Sequence, residues 1–510
     1  MTVESHLDTL EAKGLIRLAA YQPELEYLFR HWLVQDAAYG SLLKQERRLL
    51  HRLVGEALEN LYPEKAAELS AVLAMHFEGA GEADKAVDYL LSAGGHALVR
   101  NAIREAYEAF ARATELLPAE RPDEDDVLRA KRVQAALGEA RASLSFGQAE
   151  GIVAALDTAE RGAEQLGQPQ LVAQVLATRA LALLQRGASP TDPSVKQALD
   201  RVREIGQELG DESLTAIALA LTGLNQVFTG PIRDGVHALE QAVPLLQKRQ
   251  DIIGAAFARG ALAMGYAELG EFDKAEEAVR NAIELAEGGD LIAKLDAQIA
   301  DSMVKAARGD LESAAPVALE CVNRSEETGA FACVMPSAWI LGDIYHRQGR
   351  YEEASQILKR ASEVAATVDR RLWRPTIQGW LGSTASALGD TVAAQGNWDE
   401  ALASTRSTGN RFGEASILAK RGQELATRGE AGAALADFEA AAAGLEREGA
   451  RPYLARVLRG WGETLRAVGR REEGDEKLRR ALELFEEMDI TVEAQAVRLA
   501  LAGGEPLKLD

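Results

Sequence analysis

The heptapeptides Leu269-Gly270-Glu271-Phe272-Asp273-Lys274-Ala275 and Gln348-Gly349-Arg350-Tyr351-Glu352-Glu353-Ala354 decide the fold. In each, a glycine is followed by an aromatic residue two positions on and by alanine five positions on. The likeness continues outward. Seven residues before the glycine stands a small residue, Ala263 or Gly342, and four before it a tyrosine, Tyr266 or Tyr345. Nine residues after it stands Val279 or Leu358, and twelve after it Ala282 or Ala361. Glycine closes a helix in the left-handed conformation, which costs other residues a steric penalty. Positions five, nine and twelve after it are spaced by four and three, so they line one face of a following helix. Small residues at minus seven and plus five let two helices cross with their backbones close, while larger side chains fill the flanks.

The same frame fits Gly230 with Gly223, Gly235, Leu239 and Ala242, and Gly309 with Ser302, Ala314 and Cys321. It fits Gly429 with Gly422, Ala434, Phe438 and Ala441, and Gly469 with Gly462, Gly474, Leu478 and Ala481. Forty residues separate Gly147 from Gly187, Gly230 from Gly270, Gly309 from Gly349 and Gly429 from Gly469. The interval from Gly187 to Gly230 is 43, and the loop Ser189-Pro190-Thr191-Asp192-Pro193 accounts for the excess. One further turn falls between Gly349 and Gly429, at Gly389 or Gly396, and Gly389 keeps the period. This unit resembles the tetratricopeptide repeat, in a long form of about 40 residues instead of the usual 34. The resemblance covers roughly residues 65 to 490. It implies an all-α, tetratricopeptide-like α-solenoid, a right-handed superhelix of helix pairs. On this reading residues 63–490 form an array of about ten pairs. Residues 491–510 then supply a capping helix and a polar tail.

Composition agrees with such an array. The 510 residues are 47% hydrophobic but only 5% aromatic, which favours helices rich in Ala and Leu. Fourteen prolines are few enough to leave long helices uninterrupted. A net charge of -22 and a pI near 5.0 argue against nucleic acid, since a phosphate-binding surface needs positive potential. The locally basic stretch Lys44, Arg47, Arg48 and Arg52 reads as the solvated face of a helix beside Leu49, Leu50 and Leu53. Cys321 and Cys333 have no metal-ligand spacing and read as buried free thiols, which suits a reducing compartment. The first fifteen residues lack a signal-peptide core, and no apolar run reaches the roughly 18 residues a bilayer demands. The expected location is cytoplasmic, with no membrane partner.

The N-terminal region, residues 1–62, reads differently. Ser5 to Ile16 reads as a short amphipathic helix, and Arg17 to Phe29 carries a Tyr21-Gln22-Pro23-Glu24 turn between short apolar stretches, as a wing hairpin would. The run Glu26-Tyr27-Leu28-Phe29-Arg30-His31-Trp32-Leu33-Val34-Gln35-Asp36-Ala37-Ala38-Tyr39-Gly40-Ser41-Leu42 resembles the end of the winged-helix region in signal-transduction ATPases of the STAND class. Arg47-Arg48-Leu49-Leu50-His51 and Met75-His76-Phe77-Glu78-Gly79-Ala80-Gly81 continue the likeness. The resemblance implies a winged-helix remnant over residues 1–62 and makes His31, by position, a nucleotide-sensing residue. It also implies an ATPase module as partner, in the same chain or another. No Gly-x-x-x-x-Gly-Lys-Ser/Thr loop occurs here, so no bound cofactor is expected.

Nothing in the sequence suggests catalysis or a metal site. The seven histidines form no His-Glu-x-x-His pattern, no Gly-x-Ser-x-Gly elbow occurs, and the many carboxylates read as solvated helix faces. Binding is the better expectation, because a superhelix presents a concave groove lined by the first helix of each pair. Aromatic and Arg side chains are the usual anchors on such surfaces. Four of the six tryptophans, Trp339, Trp373, Trp380 and Trp398, cluster in one short stretch, near His346, Arg371 and Arg374. Trp398 also fits the plus-nine packing position. The candidate binding residues are Trp373, Arg374, Trp380, Trp339 and His346. The expected function is a scaffold holding partner peptides or helices, basic or amphipathic given the chain's acidity. The alternative is a ligand-sensing regulatory arm of a STAND-type ATPase or transcriptional regulator.

Overall fold

The computed structural model describes residues 3–20, 26–100, 102–121, 123–146, 152–188, 192–248, 252–287, 291–367 and 372–502. The tetrapeptide Tyr21-Gln22-Pro23-Glu24, Gly147, Ser189-Pro190-Thr191 and Arg371 lie outside them. The chain divides into two compact units, Met1–Ala97 with Glu108–Asp123, and Leu98–Tyr107 with Glu124–Asp510.

The first unit opens with α1 (Val3–Ala12), an antiparallel pair of strands β1 (Ile16–Ala20) and β2 (Glu26–Phe29), α2 (Trp32–Ser41) and α3 (Lys44–Leu61). Ile16 pairs with Phe29 and Leu18 with Tyr27, so the two short apolar stretches form the expected hairpin. A 3-10 turn at Pro63–Lys65 leads to α4 (Ser70–Ala80), α5 (Ala83–Val99) and α6 (Ile103–Leu116). The basic stretch is helical, but its leucines are not the buried side: Leu49, Leu50 and Leu53 are exposed. Helix α3 instead meets α4 at Gly55, where a Cβ would lie 3.0 Å from the Phe77 ring.

Among the described residues the second unit holds nine helix pairs and a last helix. They are α7 (Asp126–Phe146) with α8 (Ile152–Gln165), α9 (Pro169–Gln185) with α10 (Pro193–Leu209), and α11 (Glu212–Thr229) with α12 (Ile232–Lys248). Next come α13 (Ile252–Leu269) with α14 (Phe272–Glu287), α15 (Leu291–Arg308) with α16 (Leu311–Thr328), and α17 (Phe331–Arg347) with α18 (Tyr351–Thr367). The series ends with α19 (Arg374–Ala387) and α20 (Thr391–Thr408), α21 (Arg411–Thr427) and α22 (Ala431–Glu448), α23 (Arg451–Ala467) and α24 (Arg471–Glu487), then α25 (Thr491–Leu501). Among the described residues no helix is long and apolar enough to cross a membrane.

The turns at Gly187, Gly270, Gly309, Gly349, Gly389, Gly429 and Gly469 close as the repeat frame implies. At Gly270, φ is +76°, and the Glu271 and Gly270 amides donate to the Tyr266 and Ala267 carbonyls at 2.8 and 3.1 Å. That double bond satisfies two carbonyls that the helix end leaves free. An aspartate directly after the glycine starts the next helix at two turns. The Asp310 and Asp390 side chains accept from the Ser313 and Ala393 amides at 3.1 and 3.0 Å. Positions minus seven and plus five do meet: a Cβ on Gly223 would lie 2.7 Å from the Gly235 carbonyl oxygen. At the same crossing two pairs later, the Ser302 hydroxyl donates to the Ala314 carbonyl at 3.1 Å. Of the two candidate turns, Gly389 lies between α19 and α20, while Gly396 is inside α20. The plus-nine residues Val279, Leu358, Trp398, Phe438 and Leu478 are buried in one core that runs from α11 to α25. Three prolines, Pro244, Pro316 and Pro336, do sit inside helices.

The array also meets itself. Helix α11 touches α21, and α13 touches α23. A Cβ on Gly230 would lie 2.6 Å from Glu448 Oε2, and one on Gly270 would strike Met488 Sδ. Glu448 and Met488 each stand several repeats after the glycine they cover.

Candidate functional site

Where the array meets itself, the first helices turn charged residues inward. Asp343, His346 and Arg347 share one face of α17 at i, i+3 and i+4, and Lys420, Gln423 and Glu424 share one face of α21 in the same way. With Tyr453 and Arg456 of α23 they surround a cavity of about 230 Å³, whose apolar walls include Trp339 and Trp380. The Lys420 ammonium sits 4.4 Å from the centre of the Trp380 ring and 5.9 Å from that of Tyr453, within reach of both π-faces.

Burial governs the electrostatics. It lowers Lys420 to about 8, although Asp343 and Glu268 favour its charge. Burial also pushes the Glu268 carboxyl up to about 8, outweighing the pull of Lys420, Arg456 and the Tyr453 hydroxyl. Tyr453 is driven well above its ordinary value by burial and then by the Glu268 and Asp343 charges. Burial thus opposes both the Lys420 ammonium and the Glu268 carboxylate, while each favours the other's charge.

One wall of the chamber is an arginine clamp. Arg456 Nη2 donates to Glu493 Oε1 at 3.0 Å and to the Ala307 carbonyl at 2.7 Å. Arg347 reaches the same carboxylate oxygen at 3.4 Å and the Ala306 carbonyl at 2.7 Å. Buried ions are tolerated only when paired and further hydrogen-bonded, and these two carbonyls at the end of α15 supply the extra acceptors. The clamp thus ties α15, α17, α23 and α25 together. Burial opposes the Arg456 charge, yet Glu493 outweighs it and the net shift is upward. Arg347 is shifted down by burial and by the neighbouring Arg456.

Past the clamp lies an open recess of about 1260 Å³ that shares His346, Arg347, Gln423, Glu424 and Arg456 with the chamber. Most of its charges are paired within the chain, Arg459 with Glu463 at 2.9 Å and Lys305 with Asp301 at 2.6 Å. Arg280, on the rim, is exposed and has no ion pair among the described residues.

The tryptophans expected to form a surface patch lie mostly inside. Trp339 and Trp380 are buried, Trp398 is fully buried, and Trp373 is half-buried. Trp339 stacks on Trp373 with ring centres 5.5 Å apart, and Phe228 meets Trp373 edge-on at 4.6 Å. His346 lies 5.1 Å from both the Tyr351 and Trp380 rings and 3.2 Å from Glu424. The structure therefore brings Trp339, Trp380 and His346 to one chamber, while Trp373 lines a neighbouring cavity. Arg374 faces neither; it is exposed and pairs with Glu400 at 2.6 Å. In the first unit, His31 caps α2, its Nδ1 accepting from the Leu33 amide at 3.2 Å, and stacks on Trp32.

Sequence reasoning missed Glu268, Asp343, Arg347, Lys420, Arg456 and Glu493, because their charges read as solvated faces. Glu268 and Glu493 are among the most deeply buried polar residues of the chain. The signal available was the placement of charges at i, i+3 and i+4 on first helices rather than on second ones.

Sequence comparison bears on the repeats. Family models described as tetratricopeptide repeat match residues 258–288 and 340–372. The uncharacterized protein R02095 of Rhizobium meliloti (strain 1021) is 31% identical over 109 residues, 21% of this chain and 11% of that protein. The chain thus spans about a tenth of the length of this curated relative. Among solved structures, a Rap protein complexed with competence and sporulation factor aligns with a TM-score of 0.54 at 14% identity, over 72% of this chain and 99% of its own. The APC/C hetero-tetramer Cut9-Hcn1 aligns with a TM-score of 0.50 at 13% identity, over 94% of this chain and 97% of its own. Identities this low speak to the fold alone. Together with the two matched repeats and the turn geometry, they make the array a tetratricopeptide-like α-solenoid.

Proposed function

We propose that the chain is a protein-interaction scaffold that holds a segment of a partner protein in the open recess beside its arginine clamp. The recess itself carries this reading. At about 1260 Å³ it exceeds the roughly 300–1,000 Å³ common for small-ligand pockets. It is lined by side chains of both signs and continues into an aromatic-walled chamber. The chamber, at about 230 Å³, admits a side chain but not a helix, whose diameter is about 10 Å. The partner segment therefore lies across the recess and inserts an anchor residue. A chain charge of -22 favours a basic or amphipathic segment.

Site-specific photocrosslinking in the native host tests this. A photoreactive residue replacing Arg280 on the recess rim should capture a partner that the same residue at Arg479, exposed on α24, does not. Equal capture at both positions, or none at Arg280, would sink the proposal.

A second reading rests on the first unit. Trp32, Leu33, Leu49, Leu50 and Leu53 are all exposed on α2 and α3, more apolar surface than a solvated pair of helices ordinarily shows. That face suits a further protein module, such as the ATPase implied by the resemblance over residues 26–81. Leu49→Glu with Leu53→Glu should then abolish association with such a module and leave crosslinking at Arg280 unchanged.

A further inference from the structure

A second cavity, of about 150 Å³, lies among α9, α11, α13, α15 and the residues leading into α19. The stacked Trp339 and Trp373 rings stand between it and the chamber, Trp339 lining one and Trp373 the other. Its walls are mostly apolar and include three aromatic rings, Phe228, Phe257 and Trp373, with Gln185 and Asn225 as uncharged polar groups. Among the residues lining it, one is charged, Asp296 of α15. Its carboxylate makes no hydrogen bond or ion pair among the described residues. The carboxylate lies close against α13. A Cβ on Gly260 would lie 2.8 Å from Asp296 Oδ2, so glycine at that point of α13 leaves the carboxylate its room.

An unpaired carboxylate in an apolar setting is costly to the fold. Burial alone lifts Asp296 to about 7, because no cation stands near it. The charge becomes favourable when a cation lies beside it, and the surrounding ring faces attract the same cation. The remaining space sets the size of the ligand, since an apolar cavity of about 150 Å³ accepts a benzene-sized group. We propose that this cavity binds a small primary amine bearing one benzene-sized apolar group, with its ammonium paired to the Asp296 carboxylate and its apolar part against Phe228, Phe257 and Trp373. The site is independent of the recess and takes a free small molecule rather than a polypeptide.

Isothermal titration of the full chain with benzylamine, and separately with toluene, tests the assignment. Benzylamine should bind the wild-type chain more tightly than toluene. Asp296→Asn, which keeps the shape of the side chain, should weaken benzylamine at least about tenfold while leaving toluene unchanged, as expected for loss of a charge-assisted hydrogen bond. Leu224→Phe, which fills the cavity from α11, should abolish binding of both. Benzylamine binding that survives Asp296→Asn at full strength would overturn the proposal. So would toluene binding as tightly as the amine, which would mark a packing void, or failure of benzylamine to bind at millimolar concentration.

Discussion

The turns at Gly270 and Gly349 are written in the same local code and do different tertiary work. Both glycines are left-handed, at φ of +76° and +74°, and both close their helix with the same pair of amide bonds. Around Gly349 a Cβ would meet nothing within 4 Å, whereas at Gly270 it would strike Met488, which belongs to a turn several repeats later. Gly230 and Gly309 lie beneath later residues as Gly270 does, while Gly389, Gly429 and Gly469 are open as Gly349 is. The heptapeptide thus specifies how a pair closes and is silent on whether another part of the array lies over it. Coverage comes from the accumulated path of the superhelix, and the arginine clamp is what holds it.

The sharpest way to break the comparison is to remove the clamp. Glu493→Ala leaves Arg456 buried without its carboxylate and should destabilise the second unit by about 3–5 kcal/mol in urea denaturation. It should also expose the covered turns to hydrogen exchange, with the turn at Gly429 unaffected. Next in size is the direct contrast of the two glycines. Gly349→Ala should cost about 1–2 kcal/mol, the penalty of a left-handed alanine, and Gly270→Ala about 1–3 kcal/mol more from overpacking against Met488. In a Met488→Ala background that excess should shrink, and an unchanged excess would mean the two turns do not couple.

A pH series sharpens the same comparison. The Glu268 carboxyl rises from 4.5 to about 8 on folding, so between those values the folded chain holds a proton that the unfolded chain has released. Stability should fall as pH rises through that window. Lys420, lowered from 10.5 to about 8, works in the opposite sense, and stability should recover as pH climbs from about 8 to 10.5. Thermal melts should show the dip, and Glu268→Gln should flatten its acid side. Asp296, raised from 3.8 to about 7, will keep part of the slope. The smallest effect is expected at Arg374, exposed and paired with an exposed Glu400. Arg374→Ala should change stability by less than about 1 kcal/mol and leave crosslinking at Arg280 intact.

The local architecture was legible because it depends on residues close in sequence. Turn glycines, small crossing residues such as Gly223 and Gly235, and the plus-nine position of Trp398 all follow from helix geometry within one repeat. The site was less legible because its members are far apart. Arg347 and Glu493 are separated by 146 residues, and their meeting depends on a small rotation per repeat summed over several repeats. A charge on a first helix looks the same in sequence whether it faces water or the opposite turn. Trp373 illustrates the limit. It lies in the connection before α19, outside the repeat frame, so no periodicity said whether it was buried.

The contact of one part of the array with another changes what kind of elastic body this is. An ordinary solenoid stretches as an open spring, each repeat yielding against its neighbours alone. Here Arg456 grips the Ala307 carbonyl 149 residues away, and Tyr453 lies against Glu268 185 residues away, so the coils touch. Pulled from its ends, such a spring resists until those cross-coil contacts rupture, and then extends compliantly. A single-molecule force trace of the second unit should therefore begin with one yield event at small extension, ahead of the stepwise loss of individual helix pairs.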